Sequence, residues 1–94
     1  MTYFIDKLED IIKDRKQNPS DASYTSKLIS SGLDRVLKKI GEEAGEVIIA
    51  AKNHDKNELS NEAADLLFHL LIVLQEEGLS FKDVISVLEQ RHNK

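Results

Sequence analysis

Residues 33–74 read LDRVLKKIGEEAGEVIIAAKNHDKNELSNEAADLLFHLLIVL, and they contain two long helical patterns separated by a short polar turn. Apolar residues recur at intervals of three and four, the spacing of a helix face and not of a strand. The patterns predict helices over about residues 33–53 and 58–77, with a turn over residues 54–57. Two helices joined by so short a turn lie antiparallel and side by side.

The rest of the chain also reads as helices. Thr2 can cap a first helix that runs to about Lys16, and a short helix is expected over residues 24–31. Ser80 and Asp83 have the spacing of a capping box at the start of a last helix. We therefore predict an all-α fold, a small bundle of about five helices forming one domain over residues 1–94.

Helical wheels assign a core-facing stripe to each long helix. The predicted stripes are Leu33, Val36, Leu37, Ile40, Ala44, Val47 and Ala51 on the first helix and Leu59, Ala63, Leu66, Leu70, Val73 and Leu74 on the second. The segment 66–72 is apolar nearly all round, so it needs cover on several sides. Because a chain this short can hardly supply that cover, we expect a homodimer built on the two long helices.

Composition narrows the class of protein. The 94 residues carry a formal net charge of −4 and include no cysteine. General nucleic-acid binding usually requires a basic surface, and thiolate metal sites require cysteine, so both are disfavoured. The amino terminus lacks signal-peptide features, and the longest apolar run, residues 66–74, is too short to span a bilayer. We expect a cytoplasmic protein with neither a nucleic-acid nor a membrane partner.

Carboxylates cluster on both long helices: Glu42, Glu43 and Glu46 on the first, Glu62 and Asp65 on the second. A spacing of three residues places side chains on nearly the same side of a helix. Any one of these residues alone is most simply part of a solvated surface. Four carboxylates beside two adjacent apolar stripes would repel one another unless a cation neutralised them. We therefore predict a divalent-metal site with Glu43, Glu46, Glu62 and Asp65 as ligands, and oxygen ligands favour Mg²⁺ or Mn²⁺ over zinc.

A carboxylate-bound Mg²⁺ usually keeps open positions for substrate phosphates, so basic groups should lie nearby. Lys39 shares the acidic flank and is expected to stabilise phosphate charge. Glu42 points further towards solvent on the helical wheel, and Glu42 or Glu46 is expected to orient or deprotonate a water molecule. The candidates for substrate binding are Lys27, Arg35, Lys38, Lys39, Ser23 and Thr25. Simpler roles stay open, because the lysines are spaced for i,i+4 ion pairs with glutamates and the hydroxyls can cap a helix. His69, on the same flank, is more simply a core residue than a base.

The order Glu-Glu-x-x-Glu then Glu-x-x-Asp resembles the all-α nucleoside triphosphate pyrophosphohydrolase superfamily, whose MazG-type members carry it on two antiparallel helices. Three flanking runs are similar to the phosphoribosyl-ATP pyrophosphohydrolase family: SYTSKL at 23–28, GLDRVLKKIGEEA at 32–44 and NEAADLLFHLL at 61–71. The resemblance extends over about residues 4–92, and the run 32–44 is its family-specific part.

This resemblance implies a reaction of histidine biosynthesis, hydrolysis of phosphoribosyl-ATP to phosphoribosyl-AMP and pyrophosphate. It also implies a Mg²⁺-dependent helical dimer, with the four predicted ligands binding metal and Glu42 completing the first acidic cluster. Gly45 departs from the family pattern, where a larger residue is expected. Many members are fused to a phosphoribosyl-AMP cyclohydrolase domain, for which this chain has too few residues and no cysteine.

Two other functions are compatible with parts of the pattern. A house-cleaning pyrophosphatase acting on dUTP or dCTP would share the metal site, whereas the basic residues favour a substrate with an additional phosphate. A non-enzymatic helical scaffold would have no reason to place carboxylates beside its core. We also expect a site shared between subunits, because residues 23–27 lie far in sequence from the acidic clusters of their own chain.

Overall fold

The structure, a computed structural model, describes residues 3–93, and these form five helices and no strand. The helices are α1 (Tyr3–Gln17), α2 (Tyr24–Ser30), α3 (Leu33–Lys52), α4 (Lys56–Glu76) and α5 (Phe81–His92). The predicted all-α bundle is confirmed. The predicted Thr2 cap lies outside the described residues, which include no helix long and apolar enough to cross a membrane.

Helices α3 and α4 form the hairpin that dominates the fold, and they make the most extensive packing between any two elements. The turn between them is shorter than predicted because Asp55 already caps α4. Its Oδ1 accepts a hydrogen bond from the backbone N–H of Glu58 at 3.0 Å. The predicted start of this helix at Glu58 is therefore two residues late, and residues 56 and 57 are helical.

The core lies where α1 and α2 cover one side of this hairpin. Its fully buried members come from four helices: Ile12, Leu28, Val36, Leu71 and Ile72. Every one of these side chains is at most 4% exposed, so the four helices share one dry contact region. Such burial contributes roughly 1.5–3 kcal/mol for each large apolar side chain.

Part of each predicted core stripe is wrong. Leu33 and Leu37 are exposed on α3, where Ala50 is buried and Ala51 is not. On α4, Leu70 is exposed although Leu71 beside it is completely buried. The reason is that α1 and α2 cover one side of the hairpin only, so the rest of each broad apolar face has no neighbour within the chain.

Polar contacts tie the outer helices to the hairpin. The Ser26 hydroxyl, buried in α2, donates to the backbone carbonyl of Arg15 at 2.9 Å. The Gln75 side-chain amide donates to the carbonyl of Glu9 at 2.7 Å.

The Glu9 carboxylate accepts a hydrogen bond from the backbone N–H of Phe81 at 2.8 Å. A residue of α1 thus caps the first turn of α5, next to the predicted Ser80–Asp83 capping box, which is present.

We predict that Glu9→Ala destabilises the protein by about 1–2 kcal/mol, because it leaves the N–H of Phe81 without its acceptor. The melting temperature should fall by roughly 5–15 °C. Thermal unfolding followed by circular dichroism measures this change. Glu9→Gln keeps an acceptor and Asp10→Ala removes a neighbouring exposed carboxylate, so both should melt within a few degrees of the wild type. Equal melting temperatures for all three variants would contradict the cap.

Candidate active site

The hairpin brings carboxylates from both long helices to one place. Glu43 lies eleven residues before His54 in the turn and Asp65 lies eleven residues after it, so the two stand level on antiparallel helices. Glu43, Glu62 and Asp65 each offer an oxygen, and these three atoms lie within 4.8 Å of one another. Glu43 and Glu62 are half-buried and Asp65 is exposed. We call these three residues the carboxylate cluster.

The other two predicted acidic residues lie beside this cluster. Glu46, predicted as a fourth ligand, is exposed and is not among the three whose oxygens converge. It remains close enough for its charge to act on Glu62. Glu42 is exposed and lies with basic residues in a neighbouring cleft. The separation of Glu42 from the converging carboxylates matches the wheel, on which it points further towards solvent.

The surroundings of Glu62 disfavour its ionised form. Partial burial and the negative charge of Glu43 raise the pKa of its carboxyl, with smaller contributions from a hydrogen bond to Glu43 and the charges of Glu58 and Glu46. Glu58 is not among the acidic residues predicted from the sequence, although its i,i+4 spacing to Glu62 is a signal of this interaction. A raised pKa means that the folded chain resists holding this carboxylate ionised. A divalent cation would remove that resistance, so the donor set suits a hard metal ion.

Basic side chains line a cleft beside the amino-terminal half of α3, the helix that also carries Glu43. One lobe, about 270 Å³ in volume, is lined by Tyr24, Lys27, Leu28, Ser31, Arg35 and Lys39. A second lobe of about 210 Å³ is lined by Arg35, Lys38, Lys39 and Glu42. Arg35 and Lys39 belong to both lobes, and we call the two together the basic cleft. Lys39 is one helical turn before Glu43, about 6 Å along the axis, so the basic cleft adjoins the carboxylate cluster.

The lysines of this cleft are not engaged by neighbouring acids. Among residues 3–93 the ion pairs join Arg15 to Asp14 and Lys16 to Glu76, and neither Lys38 nor Lys39 takes part in one. The i,i+4 pairs with Glu42 and Glu43 that their spacing allowed are thus absent from the described part of the chain. These ammonium groups keep their charge available to a ligand.

Lys27 reaches the cleft from α2 and lines the same lobe as Lys39 of its own chain. The predicted site shared between subunits rests on the distance in sequence between residues 23–27 and the acidic clusters. For Lys27 that reason fails, since α2 folds against the amino-terminal turns of α3. One chain therefore assembles both the carboxylate cluster and a cleft with cations from two helices.

The predicted hydroxyl residues have a different setting. Ser23 accepts a hydrogen bond from the backbone N–H of Ser26 at 3.2 Å and so caps α2. Thr25 is half-buried, and neither residue lines the basic cleft. Their predicted substrate contacts stay predictions, and the structure gives Ser23 a structural task that explains its presence.

His69 is only 4% exposed and lies within the helical bundle. Its Nδ1 is 2.6 Å from the backbone carbonyl of Asp65, which makes Nδ1 the donor, and its ring stands edge-on to Phe68. Nε2 has no hydrogen-bond partner among the described residues. This burial agrees with a core residue and not with a base facing substrate.

Gly45, the departure from the family pattern, has nothing within 4 Å of the position that a Cβ would take. A larger residue would therefore fit there within one chain.

Comparison with known proteins identifies the family. The family model described as "Phosphoribosyl-ATP pyrophosphohydrolase" matches residues 5–92, nearly the whole chain. The chain belongs to this family. The resemblance noted in the sequence is confirmed, and so are its motifs on two antiparallel helices.

Relatives of this chain include proteins of similar length and longer proteins. A phosphoribosyl-ATP pyrophosphatase of Leptospira biflexa is 52% identical over 90 residues, covering 96% of this chain and 98% of the relative. The enzyme of that name from Streptococcus sanguinis is 58% identical over 80 residues, 85% of this chain and 77% of its own. The histidine biosynthesis bifunctional protein HisIE of Bacillus subtilis is 50% identical over 90 residues, but these are only 43% of its length.

We predict that Glu62→Gln raises the melting temperature of the metal-free protein at neutral pH. The pKa of Glu62 is higher in the folded than in the unfolded chain, so its stabilising contribution is complete at low pH and is lost as the pH rises through the folded pKa. The amide avoids that loss. Thermal unfolding in EDTA should show a gap between variant and wild type that closes as the pH falls below this pKa.

Added Mg²⁺ should raise the melting temperature of the wild type more than that of Glu62→Gln, because the variant offers one charged ligand fewer. Glu89→Gln, on the exposed surface of α5, is the matched control and should follow the wild type throughout. A metal-free Glu62→Gln protein that melts at or below the wild-type temperature at neutral pH would contradict this account.

Proposed function

We propose that the carboxylate cluster and the basic cleft together form the site at which this chain hydrolyses phosphoribosyl-ATP to phosphoribosyl-AMP and pyrophosphate. Family membership supports the reaction, which belongs to histidine biosynthesis. The observation that carries the assignment of the site is the convergence of Glu43, Glu62 and Asp65 one helical turn from Lys39. Hydrolysis of a phosphoanhydride requires positive charge beside the phosphate oxygens on both sides of the bond that breaks. A metal ion held by the carboxylate cluster would supply this charge on one side, and Lys39 supplies it on the other.

The carboxylate cluster would hold Mg²⁺, with Mn²⁺ as a substitute and Glu46 as a fourth ligand from the next turn of α3. Carboxylate oxygens and the absence of cysteine in the chain favour these hard ions. Bound there, the ion supplies positive charge to the phosphate oxygens of the triphosphate. The chain's own contribution is to hold three acidic side chains together despite their repulsion, on two helices that pack along their length.

The cations of the basic cleft bind the other anionic groups of the substrate. Lys39, half-buried and adjacent to the cluster, is placed to take charge that develops on the departing pyrophosphate. Lys27 and Arg35 lie further from the cluster and suit the 5′-phosphate of the additional ribose. Lys38 faces the lobe that contains Glu42 and assists binding there. Ser23 and Thr25 retain a predicted contact with substrate through their hydroxyls.

Glu42 and Glu46 are the two candidates for orienting or deprotonating the attacking water. Both are exposed, and neither belongs to the group of converging oxygens. Glu46, as a fourth ligand, would give the metal only one of its two oxygens, so each residue keeps an oxygen that can contact water. Glu42 lies on the side of the basic cleft and Glu46 on the opposite side of Glu43 along α3. The water-activating residue is therefore the one whose replacement by glutamine lowers kcat without weakening Mg²⁺ binding.

A homodimer on the hairpin completes the bundle. Ile48 and Ile49 are 69% and 55% exposed on α3, and Leu37 and Leu70 are also exposed. Exposed apolar side chains grouped on one pair of helices are typical of a surface that packs on another protein. A second copy of the same hairpin presents the same surface, as a two-fold interface requires.

We also keep the predictions of a single domain over residues 1–94 and of a cytoplasmic location.

We predict that Glu43→Gln and Asp65→Asn each lower kcat/KM for phosphoribosyl-ATP by about 100-fold or more, because each removes a charged metal ligand. Pyrophosphate release in Mg²⁺ and in EDTA measures this loss, with dUTP, dCTP and ATP as alternative substrates. The surface variant Glu89→Gln should keep wild-type activity. Full activity of Asp65→Asn, or equal release in EDTA, would exclude the cluster as the metal site. Preference for dUTP or dCTP would instead favour the house-cleaning function.

We predict that Ile48→Glu shifts the protein from dimer to monomer, because it places a charge in the centre of the proposed interface. Mass measured by light scattering at micromolar concentration tests this shift. Val87→Glu is the matched control, since Val87 is an exposed apolar residue on α5 and lies away from the hairpin. A dimer that survives Ile48→Glu but dissociates with Val87→Glu would move the interface to α5.

A further inference from the structure

Among the described residues, Tyr24 is the one aromatic residue that lines the basic cleft, and the assignments above give it no task. It is 61% exposed, whereas aromatic rings normally bury much of their surface. It shares its lobe with Lys27, Arg35 and Lys39, so an aromatic face lies among three cations. Anion binding requires the cations but not the ring.

The short helix α2 holds the backbone of Tyr24 in a fixed position. Its inner side is anchored by Leu28 in the core and by Ser26, which donates to the carbonyl of Arg15 at 2.9 Å. Tyr24, Lys27 and Ser31 follow one another at intervals of three and four, so they lie along one side of the helix and line the cleft together. Ser23 caps the turn on which Tyr24 stands. The ring is therefore presented by a rigid element and not by a loop.

The chemistry of the substrate supplies a reason for an aromatic residue at this point. In phosphoribosyl-ATP the second ribose is joined to N1 of adenine, so the usual base-pairing edge cannot be read by hydrogen bonds at N1. An N1-substituted adenine also carries a positive charge at neutral pH, delocalised over N1 and the exocyclic nitrogen. Such a base is repelled by lysine and arginine but is attracted to the face of an aromatic ring.

We propose that Tyr24 recognises the N1-substituted adenine of phosphoribosyl-ATP by stacking against the face of the base. This inference rests on the proposed function and adds a specificity-determining residue to it. The base then lies against Tyr24 on the α2 side of the cleft, while Arg35, about 12 Å along α3 from Glu43, binds the phosphate of the additional ribose. The triphosphate extends from there past Lys39 to the carboxylate cluster. ATP has an uncharged base, so the same ring binds it more weakly.

A stable probe separates recognition of the base from catalysis. 1-Methyl-AMP carries the same cationic, N1-substituted base as the product, and AMP is its uncharged counterpart. Titration calorimetry in Mg²⁺ should give 1-methyl-AMP an affinity about 2- to 30-fold higher than that of AMP. Tyr24→Phe keeps the aromatic face and should preserve this ratio. Tyr24→Leu should reduce it to about one, and should raise KM for phosphoribosyl-ATP by a factor of about 5 to 150.

The fluorescence of the chain offers an independent measurement of contact. The sequence contains two tyrosines and no tryptophan, so Tyr3→Phe leaves Tyr24 as the sole emitter. Titration of this variant with 1-methyl-AMP should quench its emission, and ribose 5-phosphate, which has no base, should leave it unchanged. An affinity ratio that survives Tyr24→Leu, an absence of quenching, or a change of oligomeric mass in the leucine variant would overturn the proposal. Pyrophosphate release from phosphoribosyl-ATP by the wild type tests the proposed function separately.

Discussion

The antiparallel packing of α3 on α4 is the constraint on which the rest of the molecule depends. It brings Glu43 level with Asp65 and beside Glu62, so residues distant in sequence offer oxygens within 4.8 Å of one another. The same packing partly buries Glu62 and places like charges beside it, and both effects raise the pKa of its carboxyl. The apolar contacts of the hairpin must outweigh this repulsion in the metal-free chain, and a bound cation would remove it.

Basic and acidic residues also occupy different parts of α3. Its amino-terminal half carries Arg35, Lys38 and Lys39, and its middle carries the acidic residues. These three cations thus lie one to two helical turns before Glu43, and within residues 3–93 neither Lys38 nor Lys39 forms an ion pair. A polyphosphate lying along this helix meets side-chain cations first and a metal-binding position next. Segregation on one rigid helix fixes the distance between the two.

The local sequence was sufficient to predict the helices and the members of the carboxylate cluster. The i,i+3 spacing and the short turn determine which carboxylates meet. Asp55 shows the limit at helix ends, where one cap moved a boundary by two residues. Leu37 and Leu70 show a second limit: a wheel identifies an apolar face but not which neighbour covers it. The placement of Lys27 and Tyr24 beside Lys39 depends on how α2 folds back on α3, which no local pattern encodes.

The central claim is that Glu43, Glu62 and Asp65 hold a divalent cation beside the basic cleft. Anomalous X-ray scattering from crystals grown with Mn²⁺ tests it most directly, because the ion substitutes for Mg²⁺ and marks its own position. The account predicts a peak bonded to carboxylate oxygens of all three residues, at distances of about 2.0–2.2 Å typical of small hard cations. A peak elsewhere on the protein, with these three side chains free of metal, would contradict it.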